Sequence, residues 1–336
     1  MEIKSLYQGL LDLFLFRYRF VLKARDQIVF PYFSELTIRG ALGWALRKIC
    51  CPEDMQSLDC KSCQELQRCA YPFLFKTVIK SDAPGFLKKY QSPPPPYILN
   101  QVQINLPLFP GDRFLFDLVL VGEANKFLPL ILFAVQKMGE MGLGGNMGQF
   151  ILESLQCLYP DSSYEEIFSP DMKGLNRAEI PTKLENFFGE EYSCDQVTLN
   201  FFTPLRLYTS LSENSGEKKE LKKIPVSRPE FSFLISRMLE RVYLLSAYYC
   251  KSLNTWEPDF STLIEWAKDI KVKECSLRYF PTHKENLGGF LGSITYEGEL
   301  TPFLPLLKLS QILHVGKAAS FGFGGYFLAI RRKPLF

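Results

Sequence analysis

Apolar and polar side chains alternate across residues 13–23. Phe14, Phe16, Tyr18, Phe20 and Leu22 share one face of an extended chain, and Leu15, Arg17, Arg19, Val21 and Lys23 share the other. A period of two predicts a long strand, buried on its aromatic face and basic on the opposite face. Beyond Pro31 the period lengthens. Ser34 is placed to cap a helix whose Ile38, Ala41, Leu42, Ala45, Leu46 and Ile49 form one apolar stripe, with Arg39, Gly43 and Arg47 on another face. Residues 113–121 then read as a strand and 124–141 as an apolar helix. The run Gly142-Leu143-Gly144-Gly145-Asn146-Met147-Gly148 follows, and 149–155 read as a strand.

The second half repeats this order. Residues 196–208 are strand-like and 231–249 form a long amphipathic helix. Residues 305–313 read as a helix that runs into a glycine-rich loop over 316–325 and a strand over 326–331. Two copies of a β-α-β-β-α-β unit are therefore expected, an α+β protein of two tandem ferredoxin-like domains. The expected boundaries are an N-terminal domain over 1–160, a polar, proline-containing linker over 161–193 and a C-terminal domain over 194–336. The length of 336 residues also admits one large α/β domain. Pro93 to Pro96 predict an extended loop, and the lysine-rich 212–223 predict a solvated hairpin tip.

Composition narrows the class. With 47% hydrophobic and 22% charged residues, disordered and fibrous readings fall away. No apolar run reaches the ~18 residues of a spanning helix, and Met1-Glu2-Ile3-Lys4 lacks the layout of a signal peptide, so a cytoplasmic chain with no membrane partner is expected. Basic residues (39) barely exceed acidic ones (36), so any polyanion must be met by a local patch. In that compartment nine cysteines are not a disulfide framework. Cys51, Cys60, Cys63 and Cys69, with Cys50 as a substitute for Cys51, are spaced to hold a structural zinc ion or an iron-sulfur cluster, or else remain reduced thiols. Four protein ligands would leave no open position for water, which argues against a catalytic metal there.

A glycine-rich loop that follows a helix is not a dinucleotide fingerprint, which needs strand, glycines and helix in that order. Such loops either bring backbone amides to an RNA backbone or make tight helix-to-strand turns. In His314-Val315-Gly316-Lys317 with Ser320-Phe321-Gly322-Phe323-Gly324-Gly325-Tyr326, the sequence resembles the terminal glycine motif of CRISPR-associated precursor-crRNA endoribonucleases of the RAMP superfamily. Other stretches resemble the same family in the same order: Arg39-Gly40-Ala41-Leu42-Gly43, Cys69-Ala70-Tyr71-Pro72, Phe202-Thr203-Pro204-Leu205-Arg206 and Gly288-Gly289-Phe290-Leu291-Gly292.

The resemblance implies a protein that grips CRISPR repeat RNA and works beside subunits of a CRISPR effector complex. It further implies cleavage without a catalytic metal, by attack of a ribose 2′-OH that leaves a 2′,3′-cyclic phosphate and a 5′-OH. On that reading His314 is the acid/base, Lys317 the electrostatic stabiliser, and Tyr32 a contributor near the first helix. The competing role for His314 is to cap its helix. Arg17, Arg19, Arg39 and Arg47 are expected to line a shared basic groove, or else form an ordinary solvated surface. Gly316, Ser320, Gly322 and Gly324 of one loop, with Gly144 and Gly145 of the other, are expected against the RNA backbone. His283 reads as a surface histidine. A non-catalytic RAMP subunit that coats guide RNA, and an unrelated metal-stabilised RNA-binding protein, are the alternative readings.

Overall fold

The alternating segment is β1 (Phe14–Ala24), and its burial follows the two-residue period: Tyr18, Phe20 and Leu22 are fully buried while Arg17, Arg19 and Lys23 stay partly open. The structure is a computed structural model that describes residues 3–31, 33–51, 59–63, 65, 68–78, 87, 90, 92–103, 107–176, 179–189, 192–213, 220–250, 259–282 and 287–334. After β1 come α1 (Ser34–Cys50), the short α2 (Ala70–Phe75), β2 (Tyr97–Gln103), β3 (Arg113–Val121), α3 (Leu128–Met141) and β4 (Phe150–Leu158). Ser34 is the first residue inside α1 rather than its cap; Phe33 holds the cap position and makes no side-chain bond there.

The first sheet is antiparallel in the order β2-β3-β1-β4. With a helix between β1 and β2 and another between β3 and β4, this is the ferredoxin-like arrangement. Ile38, Leu42, Ala45 and Leu46 of α1 and Ile131, Val135 and Met138 of α3 close over Tyr18, Phe20 and Leu22 in one core. Each such apolar side chain contributes roughly 1.5–3 kcal/mol on burial.

The stretch expected as a linker instead carries β5 (Tyr164–Phe168) and β6 (Thr182–Lys183). Strand β5 pairs with β4, and β6 with β1, so this stretch extends the first sheet. The alternation Tyr164-Glu165-Glu166-Ile167-Phe168 buries Ile167 and leaves its neighbours as a polar edge, which is why the segment looked like a linker.

The second sheet is built from β7 (Tyr192–Leu205), β10 (Lys271–Cys275), β12 (Gly289–Glu297) and β13 (Tyr326–Pro334). Its antiparallel order is β10-β12-β7-β13, with β11 (Arg278–Phe280) added to β12. The order matches that of the first sheet, with α4 (Phe231–Tyr249) following β7 and α6 (Leu304–Leu313) leading to β13. Helix α5 (Ser261–Lys268) precedes β10, and β8 (Tyr208–Glu213) and β9 (Glu220–Pro225) form a separate hairpin. Phe231 packs edge-on against Tyr296 and Phe303, with ring centroids 4.9 and 5.0 Å apart, and the buried Tyr326 hydroxyl donates to Leu307 O at 2.6 Å.

The chain divides into two compact units that interleave in sequence. One comprises residues 12–186 and 243–257, the other 1–11, 187–242 and 258–336. The chain start joins the second unit because Tyr7 is buried there and its hydroxyl donates to Pro302 O at 2.7 Å. Tyr249, at the end of α4, donates to Pro94 O at 2.9 Å in the first unit. Among the described residues no helix is long and apolar enough to cross a membrane.

Candidate nucleic-acid interface

Helix α6 ends at Leu313, and the chain reverses through a tight loop that returns as β13. The turn requires positive φ at Gly316 (+89°), Gly322 (+93°) and Gly324 (+71°), and imposes it on His314 (+59°) and Ala318 (+62°). A side chain at Gly316 would meet Arg206 O at 2.7 Å, and one at Gly324 would overlap the Val315 carbonyl. Thr203 of β7 stitches the loop together. Its buried hydroxyl donates to Gly322 O at 2.7 Å and accepts from Gly325 N at 2.8 Å.

Further amides point the same way. Lys317 N donates to Arg206 O (2.9 Å), Gly324 N to Pro204 O (3.0 Å) and Val315 N to Gly324 O (3.2 Å). The loop therefore turns much of its backbone toward the protein. Ser320, Gly322 and Gly324, expected against RNA, are buried; Gly316 sits at the rim and Lys317 is exposed.

What the loop presents outward is charge. The Lys317 ammonium lies 5.1 Å from the centre of the Tyr208 ring, and the Arg206 guanidinium carbon lies 5.8 Å from the same ring. Arg206 Nη2 donates to the Tyr208 hydroxyl at 3.1 Å. Lys223 joins them from β9, where it pairs in register with Ser210. Partial burial, then the positive charges of Lys223 and Arg206, hold the Lys317 ammonium below the usual lysine range. Two cations beside one aromatic ring, with a third next to Lys317, make a local positive field that the small net charge of the chain conceals. Arg206, Tyr208 and Lys223 were not among the expected site residues; the backbone pairing of Arg206 with Gly316 helps bring strand end and loop together.

His314 does not join this cluster. Its ring is 1% exposed, stands edge-on to Phe202 (centroids 6.2 Å, 86°) and fills the space left by the missing side chain of Gly325. Burial, then the nearby Arg241 cation, push its pKa down to about 3, against the opposing pull of hydrogen bonds with the backbone at Phe323 and Gly322. Arg241 Nε in turn donates to the last carbonyl of α6, Leu313 O, at 3.0 Å. The ring expected as the acid/base thus lies in the interior, apart from the exposed Lys317. Tyr32 and His283 lie outside the described residues.

The first unit does not assemble the expected shared groove. Arg17 and Arg19 lie on the sheet face opposite α1, whereas Arg39 and Arg47 lie on α1 against α2, with guanidinium carbons 5.4 Å from the Phe75 ring and 5.7 Å from the Tyr71 ring. Arg19 is held in a two-pronged pair with Asp117, its cross-strand neighbour (2.8 and 2.9 Å), and Arg113 and Lys23 both reach Glu153. Burial lowers the Arg17 pKa while Asp117 opposes the shift. The first glycine loop is also occupied internally. Gly145 N donates to Val29 O (3.0 Å), Gly144 lies against the same carbonyl, and Asn146 clamps Gln27 O and Val29 N (2.7 and 3.0 Å).

All five clustered cysteines carry reduced thiols. Cys69 pairs with Cys50 and feels Cys60 and Cys63, and Cys51 falls just past the end of α1. Burial pushes the Cys50 thiol up to about 11. Among the described residues no three Cys, His, Asp or Glu side chains are gathered to hold a metal ion, so the expected set of Cys51, Cys60, Cys63 and Cys69 does not fit one in this arrangement.

Comparison with known proteins places this geometry. Residues 199–326 match the model for CRISPR-associated endoribonuclease Cas6, and residues 13–180, half of the chain, match a family model described as an N-terminal domain, AF_1859_N. No curated protein matches. Two solved structures of a Cas6-RT-Cas1–Cas2 complex, one partial, superpose with a TM-score of 0.58 at 16% identity, covering 96% of this chain but only 47% and 30% of theirs. The chain thus spans about half the length of these relatives or less. A product complex of a Thermus thermophilus Cas6 superposes with a TM-score of 0.53 at 15% identity, covering 94% of this chain and all of that one. At these identities the superpositions establish the fold, a pair of ferredoxin-like domains; the family matches identify residues 199–326 as a CRISPR-associated endoribonuclease Cas6 domain and place the chain, through residues 13–180, in the family described as AF_1859_N.

Proposed function

We propose that this chain binds CRISPR precursor transcripts and cuts them within the repeat, the 2′-oxygen of one ribose attacking the adjacent phosphorus as the 5′-oxygen leaves. The products are a 2′,3′-cyclic phosphate and a 5′-OH. The nucleophile belongs to the substrate, so the protein must align it, stabilise the negative phosphorane, take the 2′-OH proton and return one to the leaving oxygen.

The observation that carries this reading is the cation cluster of Arg206, Lys223 and Lys317 around Tyr208 at the mouth of the glycine loop. Two of the cations lie within 6 Å of the same ring and feel each other's charge, so a phosphate could bridge them. Lys317 is the proposed stabiliser of the phosphorane. Its lowered pKa also suits it to release a proton to the leaving oxygen. The partners that follow are repeat RNA and the assembly in which crRNA is used, in a cytoplasmic setting. The superposed Cas6-RT-Cas1–Cas2 complex and Cas6 product complex are consistent with both partners.

The test is incubation of the full chain with end-labelled repeat RNA in EDTA. One discrete cut with a cyclic phosphate end is expected, lost when the nucleotide upstream of the scissile phosphate carries a 2′-deoxyribose. Lys317→Ala should slow that cut by about 10²-fold or more, the worth of one preorganised charge at the transition state. The burial of His314 favours one second reading, a non-catalytic RAMP subunit that holds guide RNA. Tight binding by the wild-type chain with no cut would select it.

A further inference from the structure

On β7, Val197, Leu199 and Phe201 are buried against the helices of their unit, so the intervening Thr198, Asn200 and Phe202 belong to the opposite sheet face. Cross-strand register adds Phe327 and Ala329 of β13 and Ser293 and Thr295 of β12 to that face. Most of these side chains are small or polar; the two phenylalanines are neither. Phe327 is 51% exposed, and its ring lies 4.6 Å from that of Phe202, tilted by 34°.

The pair is firmly seated. Phe202 N donates to Gly325 O at 3.1 Å, and the buried His314 ring braces Phe202 edge-on. A single exposed phenylalanine would need no explanation. This one rests on a fixed aromatic base, with the small residues Thr198, Asn200 and Ser293 leaving space beside it. That base, Phe202, stands on the strand that leads to the cation cluster, four positions before Arg206, roughly 13 Å of extended chain. Phosphates held at Arg206, Lys223 and Lys317 would bring the bases of the same strand over this face.

We propose that Phe327, supported by Phe202, is a stacking platform for an unpaired base of the bound RNA. Every base has an aromatic face, and an open sheet with an exposed ring beside a cationic groove is an arrangement that stacks single-stranded nucleotides. The inference rests on the RNA reading above and deepens it: the RNA must present a single-stranded nucleotide a few positions from the phosphates at Lys317.

The experiment uses the full chain and repeat RNA oligonucleotides with 2-aminopurine at successive unpaired positions. With wild-type protein one position should lose fluorescence on binding. Phe327→Trp should keep that quenching, and both Phe327→Ala and Phe327→Leu should abolish it and weaken binding about 5- to 150-fold, the worth of one stacked base. Phe202 is left unchanged because it contacts the buried His314. No quenched position, or unchanged affinity in Phe327→Ala, overturns the inference. So does wild-type binding by Phe327→Leu, since an apolar protein partner would accept leucine and a stacked base would not. If wild-type protein neither binds nor cuts repeat RNA, the functional reading fails; if it does both and Phe327→Ala is indistinguishable from it, only the platform fails.

Discussion

Lowering the pH from 7 to 5 should destabilise this protein through His314 in a way that a single substitution removes. The ring is buried and neutral, with its pKa pushed down to about 3 in the folded chain, against ~6.5 when unfolded. Between those values the unfolded chain holds a proton that the folded chain does not. The stability contributed by the neutral ring is therefore complete above pH 6.5 and is lost progressively as pH falls toward 3. At pH 5, 1.5 pH units below the unfolded value, the loss is about 2 kcal/mol, and it depends little on how far below 5 the folded pKa lies.

The assay is urea unfolding of the wild-type chain and of His314→Asn at both pH values. Asparagine keeps a short polar side chain, and the backbone strain of this position (φ +59°, ψ 168°) is common to both proteins and independent of pH. Buried carboxyls such as Asp117 and Glu35, whose pKa values burial raises, titrate in both proteins and cancel in the difference. Wild-type protein should lose about 2 kcal/mol more than the variant between pH 7 and pH 5. Equal losses would refute the buried, neutral ring. A fall in cleavage of several orders of magnitude in His314→Asn at pH 7, with stability and RNA affinity intact, would return the imidazole to the chemistry.

Two further outcomes follow from the same coordinates. Thr203→Val preserves shape but leaves Gly322 O and Gly325 N buried without their partner, which should cost about 2–5 kcal/mol in unfolding experiments, whereas Thr203→Ser should restore most of it; a loss below ~0.5 kcal/mol would mean that the loop is held by other contacts. Cys50 pairs with Cys69, so any zinc taken up in titration by the 50–69 segment should be lost in Cys50→Ser; uptake kept in that variant and lost in Cys51→Ser would restore the ligand set expected from spacing.

The ferredoxin-like units were legible because their signals are periodic. The alternation of 13–23 and the helical stripe that follows it each determine which face is buried, and the glycine runs mark where helix turns into strand. The interleaving of the units was not legible. Nothing local distinguishes Tyr7, anchored on Pro302, from any other amphipathic N-terminal residue, and the polar edge of β5 has the composition of a linker. The way the loop faces was not legible for a different reason. Glycine, serine and histidine in a loop are chemically competent for RNA, but composition does not say which way a loop faces. Here the register of β7 decides it: Thr203, Pro204 and Arg206 draw the backbone groups of Gly322, Gly324, Gly325 and Lys317 inward, and burial of the loop takes His314 with it. The contact that draws Lys317 N to Arg206 O also sets the Lys317 and Arg206 side chains beside the Tyr208 ring. The inward commitment of the backbone is thus what concentrates positive charge on the outside, and an RNA recognised here would be read through side chains rather than through a nest of amides.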